Sequence, residues 1–446
     1  MRQFRQQVYP LLGPRKDVLF ELMDAVIQTP HARSFAELSL APACTRQWPS
    51  IYKALDAPVG QPTVADITVE PADPSPMQAV HIFCAEQLPT DGVAQFAIDV
   101  SGVRRMRSPT LKDRLYYHGA AREVPGTGVV VGLPYSFAAW VPERGGSFAP
   151  PVHIHRLEPG ETAVEAAVAQ VRWLAFYLPP ELEWRAGLDG AYGNRKFLTP
   201  LQDKAVQVVA RTRDDRVLYR RADPEAYGGH GRKAVFGDEF RFRDPSTWGP
   251  PDQVDCFTDP AHGQVELELW RDLGMRGNGS FVTSDVIRSR IHTEREKPPK
   301  ARWYQAWNGK PEQAVSLREW YETSAHRWGI EPANRFRKER LYAELPKVQT
   351  AARSDHWLLQ VQLIEWMLYL AARAVAAAQK VLPWQKPQPA DKITPNRVIE
   401  SLASHLSEVG TPAQPVLPRG KAPGWPAGKP RTAPEKYKLT PKSRKK

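Results

Sequence analysis

The chain has 446 residues, 42% of them hydrophobic: enough apolar material for a packed core, and too long for one minimal domain. Lys and Arg number 61 against 49 Asp and Glu, a net charge of +12, so the expected partner is a polyanion, either nucleic acid or an anionic membrane. Three scattered cysteines (Cys44, Cys84, Cys256) with no C-x-x-C pair argue against a disulfide framework or a zinc knuckle and fit a reducing cytoplasmic compartment.

The apolar run after Arg2 and Arg5 is too short for a signal peptide. Asp17–Thr29 places Leu19, Leu22, Met23 and Val26 on one stripe at helical spacing. Ser34–Leu40 and Thr45–Leu55 read as two short helices across an Ala41-Pro42-Ala43 turn, either a helix-turn-helix or an ordinary helical hairpin. Val59–Pro74, rich in Pro, Asp and Thr, reads as a linker.

From residue 93 the period changes. Val93–Val100 (V-A-Q-F-A-I-D-V) has the apolar, β-prone character of a strand buried on both faces. Asp99 near its end is costly there unless paired or metal-bound. Val129–Val141 and Val152–Leu157 predict further strands, and Thr162–Leu178 a helix opened by a Thr162-x-x-Glu165 capping box. Trp184–Leu188 is a short strand ending at Asp189, and Lys204–Arg211 follows as another. This order predicts a mixed α/β sheet, in which chemistry gathers at strand C-termini.

Residues 212–325 are Gly-, Pro-, Trp- and Arg-rich with short strand-like pieces such as Gln264–Trp270. The basic, turn-rich runs Tyr227–Lys233 and Glu294–Arg302 are read either as nucleic-acid-facing loops or as plain solvated loops. The apolar segment Trp357–Ala378 contains Glu365 and Arg373, so a buried helix is expected over Asp355–Lys380, capped by Ser354, and no membrane span. From Gly410 onward Pro and Gly alternate with Lys and Arg, the composition of a disordered basic arm.

The stretch Ala325–Lys338 sets Glu331 among Arg327, Arg335, Arg337 and Lys338. This is either an i,i+4 ion pair on a solvated helix or an acid that holds a metal beside a polyphosphate. Pro332 favours Glu331 at a helix start, against a same-face pairing with Arg327. Three acids converging in one cleft, Asp99, Asp189 and Glu331, have the oxygen chemistry to hold two hard cations for in-line phosphoryl displacement. Glu339 and Glu344 are the substitutes for the third acid. His153 and His155, on one face of a strand, lack a third ligand, and Asp214, Asp215, Asp238 and Glu239 read as turn acids. No G-x-S-x-G elbow or P-loop is present.

The strand F-A-I-D-V at Phe96–Val100, the L-D-G-A-Y-G turn at Leu188–Gly193 and the run from His326 to Leu341 resemble bacterial insertion-sequence transposases of the DDE superfamily, over about residues 20–430. The resemblance implies an RNase H-like catalytic core with Asp99, Asp189 and Glu331 as catalytic acids and metal ligands. It implies two Mg²⁺ ions per site, with Mn²⁺ as a substitute, and cleavage and joining of DNA strands at transposon ends. A related transposase group carries a Y-(2)-R-(3)-E-(6)-K signature, which Arg327, Glu331 and Lys338 match, whereas the tyrosine position is Ser324 and Tyr321 lies one turn earlier.

The expected organisation is a helical N-terminal DNA-binding domain and linker (1–74), an RNase H-like core (75–211 and 326–409), a β-rich insertion (212–325) and a basic tail (410–446). Arg327, Arg335, Arg337 and Lys338 are the expected DNA contacts. The expected partner is double-stranded DNA bound by a dimer. The rival readings are a non-catalytic DNA-binding protein and a structure-specific nuclease without strand transfer.

Overall fold

The computed structural model describes residues 1–60, 73–118, 128–225, 230–231, 233–277, 281–292, 301–378 and 392–416, with isolated positions between 383 and 439. Most of the Val59–Pro74 linker, parts of the 227–233 and 294–302 runs and most of the tail lie outside the described residues. The strands in chain order are β1 Val93–Arg104, β2 Leu115–His118, β3 Val129–Trp140, β4 Pro151–Arg156, β5 Glu183–Leu188, β6 Gln207–Thr212, β7 Val217–Arg221, β8 Phe236–Arg241, β9 Gln253–Asp259, β10 Gly263–Met275, β11 Val282–His292 and β12 Ala301–Asn308. They form one sheet in the order β2-β3-β1-β5-β6-β12-β11-β10-β7-β8, with β4 added along β3 and β9 along β10. Strands β1, β5 and β6 are mutually parallel and β3 and β12 flank them antiparallel, so the mixed sheet expected of an RNase H-like core is present. The strands of the 212–325 region extend this sheet from β12 outward.

The helices are α1 Arg2–Val8, α2 Lys16–Gln28, α3 Phe35–Leu38, α4 Trp48–Ala54, α5 Pro76–Glu86, α6 Ala163–Tyr177, α7 Arg195–Leu198, α8 Leu317–His326, α9 Ile330–Glu339, α10 Ala351–Ala377 and α11 Pro395–Val409. They cover both faces of the sheet, as strands buried on both sides require. Phe96 and Ile98 of β1 point to the α6 side, clustering with Ala167, Val171 and Leu174. Ala97 and Phe137 point the other way and cluster with Ile330 and Ala333 of α9. Helix α6 opens with the expected reciprocal Thr162–Glu165 capping box.

Helix α10 is long and apolar enough to cross a membrane by length and composition, and most of it is buried. Its polar side chains explain why it lies against protein. Gln362 Nε2 and Trp366 Nε1 donate to the Pro151 carbonyl at 2.9 and 2.7 Å, and Asp355 takes the Arg156 guanidinium at 2.9 Å and the Tyr135 hydroxyl at 2.8 Å. Its cap is Thr350, with the expected Ser354 buried one turn inside.

The N-terminal helices do not enclose a core of their own. Leu19, Phe20, Leu22 and Met23 of α2 share one cluster with Trp357, Leu363 and Trp366 of α10 and with Phe96 and Ile98 of the sheet. Arg5 and Asp24 form a buried pair at 2.7 Å, and Arg5 also donates to the Gly410 carbonyl at 2.9 Å, joining the two ends of the described chain. The expected boundary at residue 74 therefore crosses a continuous core.

Candidate active site

The site begins with strand register. In the parallel β1–β5 pair Ile98 stands opposite Leu188, so Asp99 lies one residue further along β1 and Asp189 is the first residue past the end of β5. Neighbouring strands are about 4.8 Å apart, and residues at one level point to the same face. That face is the one covered by α8 and α9, because Ala97, two residues before Asp99, packs there. Burial pushes the half-buried Asp99 carboxyl up to about 6; Asp189 and Glu331 push the same way, against Arg327 and a hydrogen bond from the Val100 amide. Asp189 Oδ1 accepts the Ala191 amide at 2.8 Å, which closes the turn after β5. Tyr192, buried beneath this turn, has its hydroxyl held well above its ordinary pKa by burial and then by Asp99 and Asp189.

Helix α8 runs alongside β5 and delivers the remaining groups. Arg185 Nη2 pairs with Glu319 Oε1 at 2.8 Å, and two residues on, Gly187 lies under Thr323. A Cβ at Gly187 would meet the Thr323 carbonyl oxygen at 2.7 Å and Arg327 Cβ at 3.3 Å, so glycine is what lets helix and strand approach this closely. Four helical residues rise about 6 Å and two strand residues about 6.6 Å, so Arg327 arrives at the level of Asp189. A 3₁₀ turn over Arg327–Gly329 then leads into α9, whose first turn holds Glu331 and Pro332. Gly329 is seated against Val141, where a Cβ would stand 2.7 Å from Cγ1.

Arg327 Nη2 donates to Glu331 Oε1 at 2.7 Å. Glu331 sits at a helix start, as Pro332 predicts, yet the intervening 3₁₀ turn brings Arg327 to it all the same. Asp99 lies within electrostatic reach of Asp189, Arg327 and Glu331 together. The carboxylate of Glu331, half exposed, is nevertheless drawn to Arg327. Among the described residues no three His, Cys, Asp or Glu side chains stand close enough together to hold a metal ion. The donor chemistry fits a hard divalent cation: two carboxyl groups at one level of neighbouring strands, one pushed up by burial and by the other.

Of the expected DNA contacts, Arg335 is exposed and Lys338 half-buried on α9. Arg337 requires a correction. Its side chain is 2% exposed, pairs with Glu365 at 2.7 Å, donates to the Ala149 carbonyl at 2.5 Å and stacks over Phe137, so it is an internal strut and out of reach of DNA. An amphipathic period would have found this, since Arg337 falls on the buried face with Ile330, Ala333 and Phe336. Glu344 is committed to Arg104 at 2.8 Å, and Glu339 is exposed at the end of α9. His153 packs against His81 and Trp173, and His155 Nε2 bonds Glu161 at 2.8 Å; both rings serve the core. Asp214 and Asp215 pair with Arg243 and Arg213 on the surface.

A mixed sheet with parallel β1, β5 and β6 flanked by antiparallel strands and covered by helices is an RNase H-like fold, with Asp99 and Asp189 at one level of it. The sequence profile of the DDE superfamily endonucleases matches residues 7–277, more than half of the chain, and the protein belongs to that family. The match contains Asp99 and Asp189 and ends before Glu331. No curated protein matches the chain.

Proposed function

We propose that this protein is a transposase that cuts DNA strands at the ends of a mobile element and joins them to target DNA. The observation that supports the reading is the register of Asp99 beside Asp189, with the Arg327–Glu331 pair within electrostatic reach of Asp99. Asp99, Asp189 and Glu331 would hold Mg²⁺, two ions per site with Mn²⁺ as a substitute, and the bound cations supply Lewis-acid stabilisation of the attacking and leaving oxygens.

The protein's own groups position the strand. Arg327 presents its guanidinium at the level of Asp189, where it can exchange Glu331 for a phosphate oxygen. Arg335 and Lys338 on the next helix extend the positive surface for backbone phosphates. Water attacks the phosphodiester at the element end and gives up a proton, and the 3′-oxygen leaves and takes one up; the freed 3′-hydroxyl then loses its proton, attacks a phosphodiester of the target and displaces that strand's own 3′-oxygen, which takes up a proton. The basic tail and the N-terminal helices add DNA contacts, and a dimer on DNA in the cytoplasm is the working unit. A strand-transfer assay with pre-cut end DNA tests the reading: joined products are expected in Mg²⁺, whereas nicking without any joining reduces the function to that of a nuclease.

A further inference from the structure

The register that aligns the two aspartates continues one strand further. Leu188 of β5 stands opposite Ala210 of β6, in parallel, just as Ile98 stands opposite Leu188. Asp99 and Arg211 lie inside β1 and β6 and Asp189 just past the end of β5, and the continued register puts the three at one level and on one face of the sheet. On that face Val209, two residues before Arg211, is covered by Leu317, Trp320 and Tyr321 of α8. Arg211 lies past this cover and is exposed. The turn that carries Asp189 passes directly over its backbone: a Cβ at Gly193 would stand 2.8 Å from the Arg211 carbonyl oxygen. Next to it on β12, Tyr304 opposite Arg211 is buried under α8, and Arg302, two residues earlier on the same face, is exposed. Among the described residues neither Arg211 nor Arg302 is held in an ion pair.

An exposed arginine at this place is not explained by packing or by a structural carboxylate. It flanks Asp189 on the side away from Asp99, one strand spacing of about 4.8 Å off. A nucleic-acid strand presents successive phosphates about 3.4 Å apart along a duplex axis, so a strand centred on the aspartates brings a neighbouring phosphate within an arginine's reach. We infer that Arg211 is a substrate-positioning residue that grips a phosphate flanking the bond to be cut, with Arg302 continuing the contact outward. This rests on the DNA-cutting reading of the same site.

The test is a binding measurement, kept separate from cleavage by placing every variant in an Asp99→Asn background. End DNA is titrated at several salt concentrations against the Arg211 protein and its Arg211→Ala and Arg211→Lys variants. Loss of one phosphate contact is expected to reduce the slope of log K against log salt by about 0.9 in Arg211→Ala, with Arg211→Lys close to the parent. Duplexes with single methylphosphonate linkages near the cut site then locate the contact. One neutralised position should weaken the parent as much as Arg211→Ala does, and should weaken Arg211→Ala no further. An unchanged slope, or equal sensitivity of parent and Arg211→Ala to every methylphosphonate, overturns the role of Arg211 while leaving the function standing if the wild-type chain still nicks. A wild-type chain that neither binds nor nicks DNA overturns both.

Discussion

Replacing Gly187 with alanine puts a methyl carbon 2.7 Å from the Thr323 carbonyl oxygen and 3.3 Å from Arg327 Cβ. An ordinary contact begins near 3.4 Å, so α8 must retreat by about 0.7 Å or the strand must bend by as much. Overpacking of this kind costs about 1–3 kcal/mol of stability. The catalytic cost should be larger, because the helix that retreats leads directly into the turn that carries Arg327 and then to Glu331. A misplacement near 1 Å lowers rates by about 100-fold where positioning dominates. Urea unfolding and single-turnover nicking of end DNA measure the two effects on one preparation. Gly187→Ala at the wild-type nicking rate, with its stability lowered as expected, would refute the idea that this close approach sets the site.

The remaining expectations separate surface from core. Arg335→Ala with Lys338→Ala should lower the salt slope of DNA binding by about 2, and an unchanged slope removes both from the interface. Arg337→Ala should leave that slope alone while costing about 1–3 kcal/mol of stability, because it leaves the buried Glu365 carboxyl without its partner; titration in urea checks this. Burial pushes Glu365 up to about 7, with Arg337 opposing. Its folded pKa lies above the unfolded value of 4.5, so its contribution to stability is full below pH 4.5 and is lost as pH rises through 7. Glu365→Gln should therefore lose less stability than wild type between those pH values, and equal losses in denaturant melts would exclude Glu365 as a source of that dependence.

The strands of the core were legible because burial on both faces leaves long apolar, β-branched runs. Val93–Val100 predicted β1, Trp184–Leu188 predicted β5, and the Thr162–Glu165 pair marked the start of α6. Asp99 and Asp189 stood out as charges in apolar strands; β5 does end just before Asp189, whereas β1 runs on to Arg104 and holds Asp99 inside it. The pairing of β1 with β5 was not legible, since about ninety residues separate their aspartates and register is a tertiary property. For the same reason Arg211 looked like an ordinary strand terminus and Gly187 like an ordinary small residue. Helix α5 has its own local signal, a reciprocal Ser75–Gln78 capping box directly after the Pro-rich stretch. Charge alone does not distinguish Arg337 from Arg335: only the helical period tells that the first faces inward and the second out.

The most direct test of the account is nicking of element-end DNA in Mg²⁺ by wild type, Asp99→Asn and Asp189→Asn, each first shown to unfold at a comparable denaturant concentration. The account predicts Mg²⁺-dependent nicking by wild type that disappears on chelation, and none by either variant, with all three still binding the DNA. An Asp99→Asn protein that nicks at the wild-type rate would contradict it.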